Sequence, residues 1–195
     1  MMFLSRWIKS PLSVAAITSS SARLASVMAA NLPAGDGLVI ELGGGTGKIT
    51  RALLDAGVSP DYLVVVERDP HFYHYMKQRF PQLTVIHGDA CELTSLLKDL
   101  QINTPARAVV SGLPLLAMDT GTQKKIVEQS LSLTRQHGVL IQFSYGLFSP
   151  VKKSVQMELA LKSQCVGQVW KNIPPAKVWT YMLECSEVSG EVEVA

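Results

Sequence analysis

Residues 37–50, Gly37-Leu-Val-Ile-Glu-Leu-Gly-Gly-Gly-Thr-Gly-Lys-Ile-Thr50, constrain the fold more than any other stretch. The apolar run Leu38 to Ile40 has the character of a strand buried on both faces. Glu41 follows, then Gly43, Gly44, Gly45 and Gly47 in quick succession, then a helical segment with Ile49, Leu53 and Leu54 on one face. A strand, a glycine turn and a helix bring backbone close to a ligand, with the N–H groups of a helix start aimed at it. The spacing excludes two ligand classes. A P-loop needs four residues between its glycines and Ser/Thr after lysine, whereas three residues separate Gly43 from Gly47 and Ile49 follows Lys48. A dinucleotide fingerprint needs glycine at position 48.

What remains, acidic-x-Gly-x-Gly-x-Gly from Glu41 to Gly47, resembles motif I of the class I S-adenosylmethionine (SAM)-dependent methyltransferases. A carboxylate at Glu41 suits a ligand that ends in an ammonium and would repel a pyrophosphate. A bare tight turn is the alternative, but four glycines in five positions carry a large entropic cost.

At 195 residues the chain has the length of one domain. Its expected divisions are N-terminal helices over 1–32, a catalytic core over 33–183 and an acidic tail over 184–195. A net charge of +2 does not by itself argue for nucleic acid. Cys91, Cys165 and Cys185 are odd in number and widely spaced, which suits a reducing cytoplasm and gives neither a disulfide framework nor a metal site. Pro11 and Ser13 interrupt the early apolar run, so a secretion signal is not expected. Phe3, Leu4, Trp7 and Ile8 share one helical face beside Arg6 and Lys9, the pattern of an interfacial anchor on an anionic membrane. Packing against the domain is the competing reading of that helix. A second helix is expected from Ser21 to Asn31, with Leu24, Val27 and Met28 inward.

From residue 37 strand and helix alternate, which predicts an α/β, Rossmann-like fold with helices on both faces of a mostly parallel sheet. Strands are expected at 38–42, 62–67, 83–87, 108–111 and 139–144. The helices between them are expected near 47–57, 70–79, 92–100 and 120–136. Beyond Pro150 a helix carrying Lys152, Lys153 and Lys162 should precede two last strands, 167–170 and 177–183. These form an antiparallel edge hairpin and complete a seven-stranded sheet.

Ligands of such sheets lie across the carboxyl ends of the strands. Glu67 ends the second strand about twenty residues after the turn, where a carboxylate reaches both ribose hydroxyls. Asp89 ends the third, placed to accept from an adenine amine with the Ala90 N–H near the ring, and capping the next helix is compatible with that role. Arg68 stands beside Glu67. The cofactor set is therefore Glu41, Gly43, Gly45, Gly47, Glu67, Arg68, Asp89, Ala90 and Ser111. After the fourth strand, Ser111-Gly-Leu-Pro-Leu115 has neither the Asn nor the aromatic of the Asn/Asp-Pro-Pro-Tyr/Phe element that adenine N6-methyltransferases place there, which counts against a nucleic-acid base.

A closer resemblance runs over about residues 3–181. The N-terminal Phe-Leu-x-x-Trp-Ile-x-x-Pro-Leu, Ser19-Ser20-x-x-Arg-Leu24, Ser111-Gly-Leu-Pro-Leu115, Gln142-Phe-Ser-Tyr-Gly146 and Val169-Trp-Lys-Asn-Ile-Pro-Pro-Ala-Lys-Val-Trp179 are similar to the bacterial phospholipid N-methyltransferases. The resemblance implies methyl transfer from SAM to phosphatidylethanolamine and its methylated forms, by an enzyme on the inner face of the cell membrane. The alternatives are another amine-bearing lipid such as an ornithine lipid, a ribosomal RNA adenine methyltransferase relative, and a SAM-binding membrane regulator without catalysis. An ammonium with a lysine-like pKa of ~10.4 is neutral in about one molecule in 2,000 at pH 7, so the site should offer a proton acceptor or relay and desolvate the amine, and spacing singles out no base. Tyr145 is the candidate to orient the amine and to face the methylated cation, a core aromatic being the other reading. Ser19, Ser20 and Ser111 add hydrogen bonds, and Arg23, Lys152, Lys153 or Lys177 suits the lipid phosphate, a solvated face being the other reading for each lysine. His71, His74 and His87 read as structural, and His137 is expected in a turn and carries no signal. No metal is expected, because a sulfonium is already an activated methyl donor.

Overall fold

The computed structural model describes residues 22–146, 148–170 and 175–184. The proposed anchor helix, Ser19, Ser20, the Pro174 end of the last turn and nearly all of the acidic tail lie outside the described residues. Helix α1 (22–30) comes first. It is followed by β1 (Leu38–Leu42), α2 (Lys48–Asp55), β2 (Leu63–Glu67), α3 (Pro70–Arg79), β3 (Thr84–His87), α4 (Leu93–Asp99) and β4 (Ala106–Ser111). Then come α5 (Thr120–Ser132), β5 (Thr134–Tyr145), α6 (Lys153–Glu158), β6 (Leu161–Val169) and β7 (Ala176–Leu183).

The seven strands form one sheet in the order β3-β2-β1-β4-β5-β7-β6, with β1 to β5 parallel and β7 antiparallel to both neighbours. This is the Rossmann-like methyltransferase architecture that the alternation predicts. β1 and β2 are buried at every residue, as runs of Leu, Val and Ile covered on both faces must be. Leu24, Ala25 and Met28 of α1 pack with α2 and α3 on one face, over Val39, Val65, Val110, Ile141 and Val178. α4, α5 and α6 cover the other face, over Ile40, Val64, Val109, Leu140 and Tyr181. The strand order reverses between β1 and β4, so the crevice opens there, above Leu42 and Ser111.

Two expectations fail, both where pairing overrides local pattern. The fifth helix ends at Ser132, not at 136. The Thr134 hydroxyl donates to Leu131 O (2.8 Å), the Ala106 N–H donates to Leu133 O (2.8 Å), and the polar run 134–137 is drawn into β5, placing His137 in a strand and not a turn. α6 covers only Lys153–Glu158, because Ala160 sits in the left-handed region (φ 47°) and stops the helix. Lys162 therefore belongs to β6, which begins at Leu161 and runs to Val169 in place of the expected 167–170. Its sequence, Leu-Lys-Ser-Gln-Cys-Val-Gly-Gln-Val, is weak strand material, and it is held as an edge by eight register pairs to β7.

Candidate functional site

The turn between β1 and α2 is fixed before any ligand is considered. The Gly43 N–H donates to Val66 O (2.8 Å) and the Gly112 N–H to Leu42 O (2.8 Å), tying the ends of β1, β2 and β4 together. A Cβ at Gly112 would stand 3.0 Å from the Gly43 carbonyl oxygen, so at the switch point two backbones touch with no side chain between them. Gly47 serves another purpose. It is left-handed (φ 74°) and a Cβ there would lie 2.4 Å from the Phe80 ring, so its absence lets α2 pack on α3.

Two clefts meet at Gly43. The larger, of about 550 Å³, runs over the ends of β2 and β3 and is lined by Glu67, Arg68, Asp69, Asp89, Ala90 and Cys91, with Leu113 and Pro114 opposite. Glu67 Oε2 accepts from Gly45 N (2.8 Å) and Oε1 from Asp69 N (2.8 Å). One lone pair on each oxygen is left to face the cleft. Asp89 Oδ1 accepts from Cys91 N (2.9 Å) and Oδ2 pairs with Arg68 (3.3 Å). The Cys91 N–H and the Arg68 guanidinium hold its carboxyl below the usual carboxylate range. The predicted helix cap and the predicted cleft position thus coincide in one residue.

The smaller cleft, about 170 Å³, lies on the α1 face. It is lined by Leu24, Ala25 and Met28 of α1, by Gly43 to Thr46, and by Lys48, Ile49, Gly112, Phe143 and Tyr145. Tyr145 packs edge-on against Phe143 (5.3 Å between ring centroids). Burial pushes its phenol above the ordinary value, so at neutral pH it is an uncharged hydroxyl. Burial also lowers the Lys48 ammonium.

Five predicted residues line neither cleft. Glu41 is wholly buried beneath the turn, where it accepts from the Thr50 hydroxyl (2.6 Å) while Oε1 has no partner. Desolvation pushes its pKa up to about 8, so the group expected to face an ammonium as a carboxylate is an uncharged acid behind the glycines. Gly47 is turned toward Phe80, as above. Ser111 is fully buried and its Oγ accepts from Leu113 N (3.3 Å), which sets the loop after β4 and leaves the cleft lined by Gly112. Lys177 pairs with Ser144, one register step from the Tyr145–Ala176 pair. Val178 packs toward α1, so alternation sends Lys177 to the opposite face from Tyr145. Arg23 is exposed at the start of α1, next to the cleft-lining Leu24.

Spacing did not single out Gly44, Lys48, Gly112 or Phe143. Gly44 and Lys48 lie within the conspicuous turn, whereas Gly112 and Phe143 reach the cleft only through strand register. Two buried glutamines, Gln123 and Gln142, have a role that spacing does not show. Gln142 Nε2 donates to Leu113 O (2.9 Å). Gln123 Nε2 donates to Leu115 O (2.9 Å) and Pro150 O (3.0 Å), and Gln123 Oε1 accepts from Lys152 N (2.6 Å). Together they clamp the loop after β4 to the loop after β5.

No protein-family model matches the chain. An ornithine lipid N-methyltransferase of Singulisphaera acidiphila is 35% identical over 139 residues, covering 67% of this chain and 71% of that protein. A ribosomal RNA small subunit methyltransferase A of Chlorobium phaeobacteroides is 28% identical over 150 residues, 71% of this chain but only 51% of that protein. Among solved structures, magnesium protoporphyrin IX methyltransferase of Synechocystis PCC 6803, crystallised with SAH, superposes with a TM-score of 0.64 at 12% identity, over 89% of this chain and 88% of that one. The chain belongs to the class I SAM-dependent methyltransferases.

SAM is accordingly the methyl donor of this methyltransferase, and the described residues fit it. Glu67 and Asp89 place two carboxyl groups in the large cleft, suited to hydroxyl and amine donors and hostile to phosphate. Gly43 lines both clefts, and the reactive end of the donor must lie there if it is to meet a substrate in the smaller one.

Proposed function

We propose that this methyltransferase N-methylates the head-group amine of an aminolipid, with an ornithine lipid as the preferred substrate. The observation that carries the reading is the 35% identity, across 71% of its length, to an ornithine lipid N-methyltransferase. That relationship favours the ornithine head group over the phosphatidylethanolamine named first from sequence. The geometry supports it through the composition of the small cleft, whose walls are apolar apart from the Tyr145 hydroxyl, Thr46, Lys48 and glycine backbone.

SAM, when bound, supplies an electrophilic methyl on a sulfonium. The chain has to present an uncharged amine in line with it. Leu24, Ala25, Met28 and Phe143 withdraw the head group from water, which penalises the ammonium and favours the free amine. Tyr145 Oη, protonated at neutral pH, offers a lone pair to an amine N–H and its ring offers a face to the methylated cation. Glu67 and Asp89 would hold the ribose and the adenine amine.

Ribosomal RNA is the second reading, raised by the 28% identity to the small-subunit methyltransferase. The loop after β4 weighs against it. With Pro114 on the second proline of that four-residue element, Gly112 stands where that chemistry uses a carboxamide, and Leu115, in the aromatic's place, is buried in the core and cannot stack on a base.

The test uses the full chain with methyl-labelled SAM on three substrates: ornithine lipid in vesicles, phosphatidylethanolamine in vesicles, and small-subunit ribosomal RNA. Label in the ornithine lipid, at a kcat/KM above that for phosphatidylethanolamine, is expected. Label confined to RNA refutes the aminolipid reading, and a preference for phosphatidylethanolamine refutes the choice of head group.

A further inference from the structure

Among the described residues, the strand ends at the β5–β6 side of the sheet carry large apolar side chains that stand exposed. Phe148 is 80% exposed, Trp170 69% and Tyr145 46%. β5 and β6 are both antiparallel to β7, so both finish on the same rim and put Tyr145 and Trp170 there. The loops between are tied down. The Ser144 hydroxyl donates to the Phe148 carbonyl (2.9 Å), and the Gly146 N–H donates to Pro175 O (3.1 Å), joining the loop after β5 to the start of β7. Phe148 is thus held outward by its own backbone, and replacing its side chain leaves that bond in place.

Charge on the described part of this rim is mostly positive. Segments 22–25, 145–153 and 175–177 contain Arg23, Lys152, Lys153 and Lys177 and no Asp or Glu, and Asp119 lies beside Lys152, whose ammonium donates to Met118 O (3.1 Å) and Thr120 Oγ1 (3.1 Å). The opposite half of the rim carries Glu67, Asp69 and Asp89. The small cleft opens between Leu24 and Tyr145, within the cationic, aromatic half. Exposed aromatics ringed by cations beside an apolar mouth match an anionic bilayer in both hydrophobicity and charge.

We propose that Phe148 and Trp170, with the surrounding cations, form a bilayer-docking face that seats on an anionic lipid surface and opens the small cleft directly into it. The proposal rests on the aminolipid reading for its substrate and adds a second contact, separate from residues 1–10, through which the enzyme reaches it. Trp170 and Phe148 enter the interfacial layer, and the lysines and Arg23 pair with anionic head groups around them. A lipid amine then passes from the membrane to Tyr145 without its acyl chains leaving the bilayer.

The full chain carrying Phe148→Ser and Trp170→Ser is compared with the unmodified protein on vesicles of phosphatidylcholine, with and without phosphatidylglycerol. Loss of two aromatics from the interface is expected to weaken binding to the anionic vesicles by at least about tenfold. Turnover of vesicle-borne ornithine lipid should fall in step. SAM affinity and turnover of a short-chain, monomeric ornithine amide should be unchanged, which separates docking from a folding or active-site defect. Brominated lipid should quench the indole fluorescence of the protein less in Trp170→Phe than in the unmodified chain. Lys153→Glu should weaken binding to anionic vesicles alone. Vesicle binding by the double variant equal to that of the parent overturns the proposal, as does loss of self-association in that variant with vesicle binding intact, which would make a second copy the occupant. Vesicle binding that depends on Phe148 and Trp170, without methylation of any aminolipid, instead refutes the substrate reading and leaves the docking face standing.

Discussion

The two halves of the crevice are built from different materials. Over β1, β2 and β3 the chain offers carboxyl groups and bare backbone: Glu67, Asp89, Gly43 and the N–H groups around them. Over β4, β5 and the described ends of β6 and β7 it offers apolar walls, one tyrosine hydroxyl and a cationic rim. The first half suits a ligand whose polar groups must each be met at a fixed place. The second suits an amine delivered from an apolar medium, where loss of water is itself the activating influence. Binding of the donor and selection of the acceptor should therefore fail separately under mutation.

The largest separation is expected at Glu67. Glu67→Ala removes two acceptors proposed for ribose hydroxyls, and hydrogen bonds to a charged group are worth about 1.5–3 kcal/mol each. SAM affinity measured by calorimetry should drop about a hundredfold or more, with the circular dichroism of the folded chain retained. Undiminished affinity would remove Glu67 from the donor half.

Glu41 comes next, because it tests whether the motif's acid belongs to that half at all. Its folded pKa of about 8 lies above its unfolded value of 4.5, so the native state favours the protonated form. The contribution is complete below pH 4.5, falls as the unfolded chain ionises first, and is lost as pH passes 8. The slope is at most about 1.36 kcal/mol per pH unit. Glu41→Gln keeps the shape without the ionisation. Urea unfolding from pH 5 to 8 should show the variant losing less stability with rising pH than the parent, and equal slopes would mean that the native carboxyl titrates normally.

These two acids also show what the sequence made legible and where it stopped. Strand-end position placed Glu67, Asp89 and Ala90 at the large cleft, because a parallel sheet puts every strand's carboxyl end on one rim. Motif spacing alone misjudged Glu41. A carboxyl one step back along β1 alternates into the core, and its distance from Gly43 along the chain says nothing about burial. The acceptor half was less legible for the same physical reason. Gly112 and Phe143 reach the small cleft through the register of β4 against β1 and β5, and the contribution of α1 depends on packing. The long β6 was hidden because an edge strand takes its form from its partner and not from its own propensities.

Tyr145 tests the acceptor half from within. Tyr145→Phe keeps the ring and the apolar wall but removes the hydroxyl, at a cost of about 1–1.5 kcal/mol for a neutral hydrogen bond, or roughly a tenfold fall in kcat. Tyr145→Ala should lower it further through the lost ring, with SAM affinity held in both variants. A rise in the dissociation constant for SAM in step with the fall in kcat would place Tyr145 in the donor half and erase the division.

The smallest effect is expected at Lys177, and its smallness is the point. The sequence offered this lysine and Tyr145 together as contacts to one substrate. In the sheet they occupy adjacent register steps, Ser144 with Lys177 and Tyr145 with Ala176, so their side chains leave opposite faces. Val178 packing toward α1 fixes which face is which. Lys177→Ala should therefore change kcat for a monomeric substrate by less than about twofold, within the ±0.5 kcal/mol usual for substitutions away from a site. On anionic vesicles the same variant should bind somewhat less tightly, because its charge counts toward the rim whichever face it leaves. A tenfold fall in kcat on the monomeric substrate would show that the lysine reaches the substrate after all, and the small cleft would then have to extend across the end of β7 to the opposite face of the sheet.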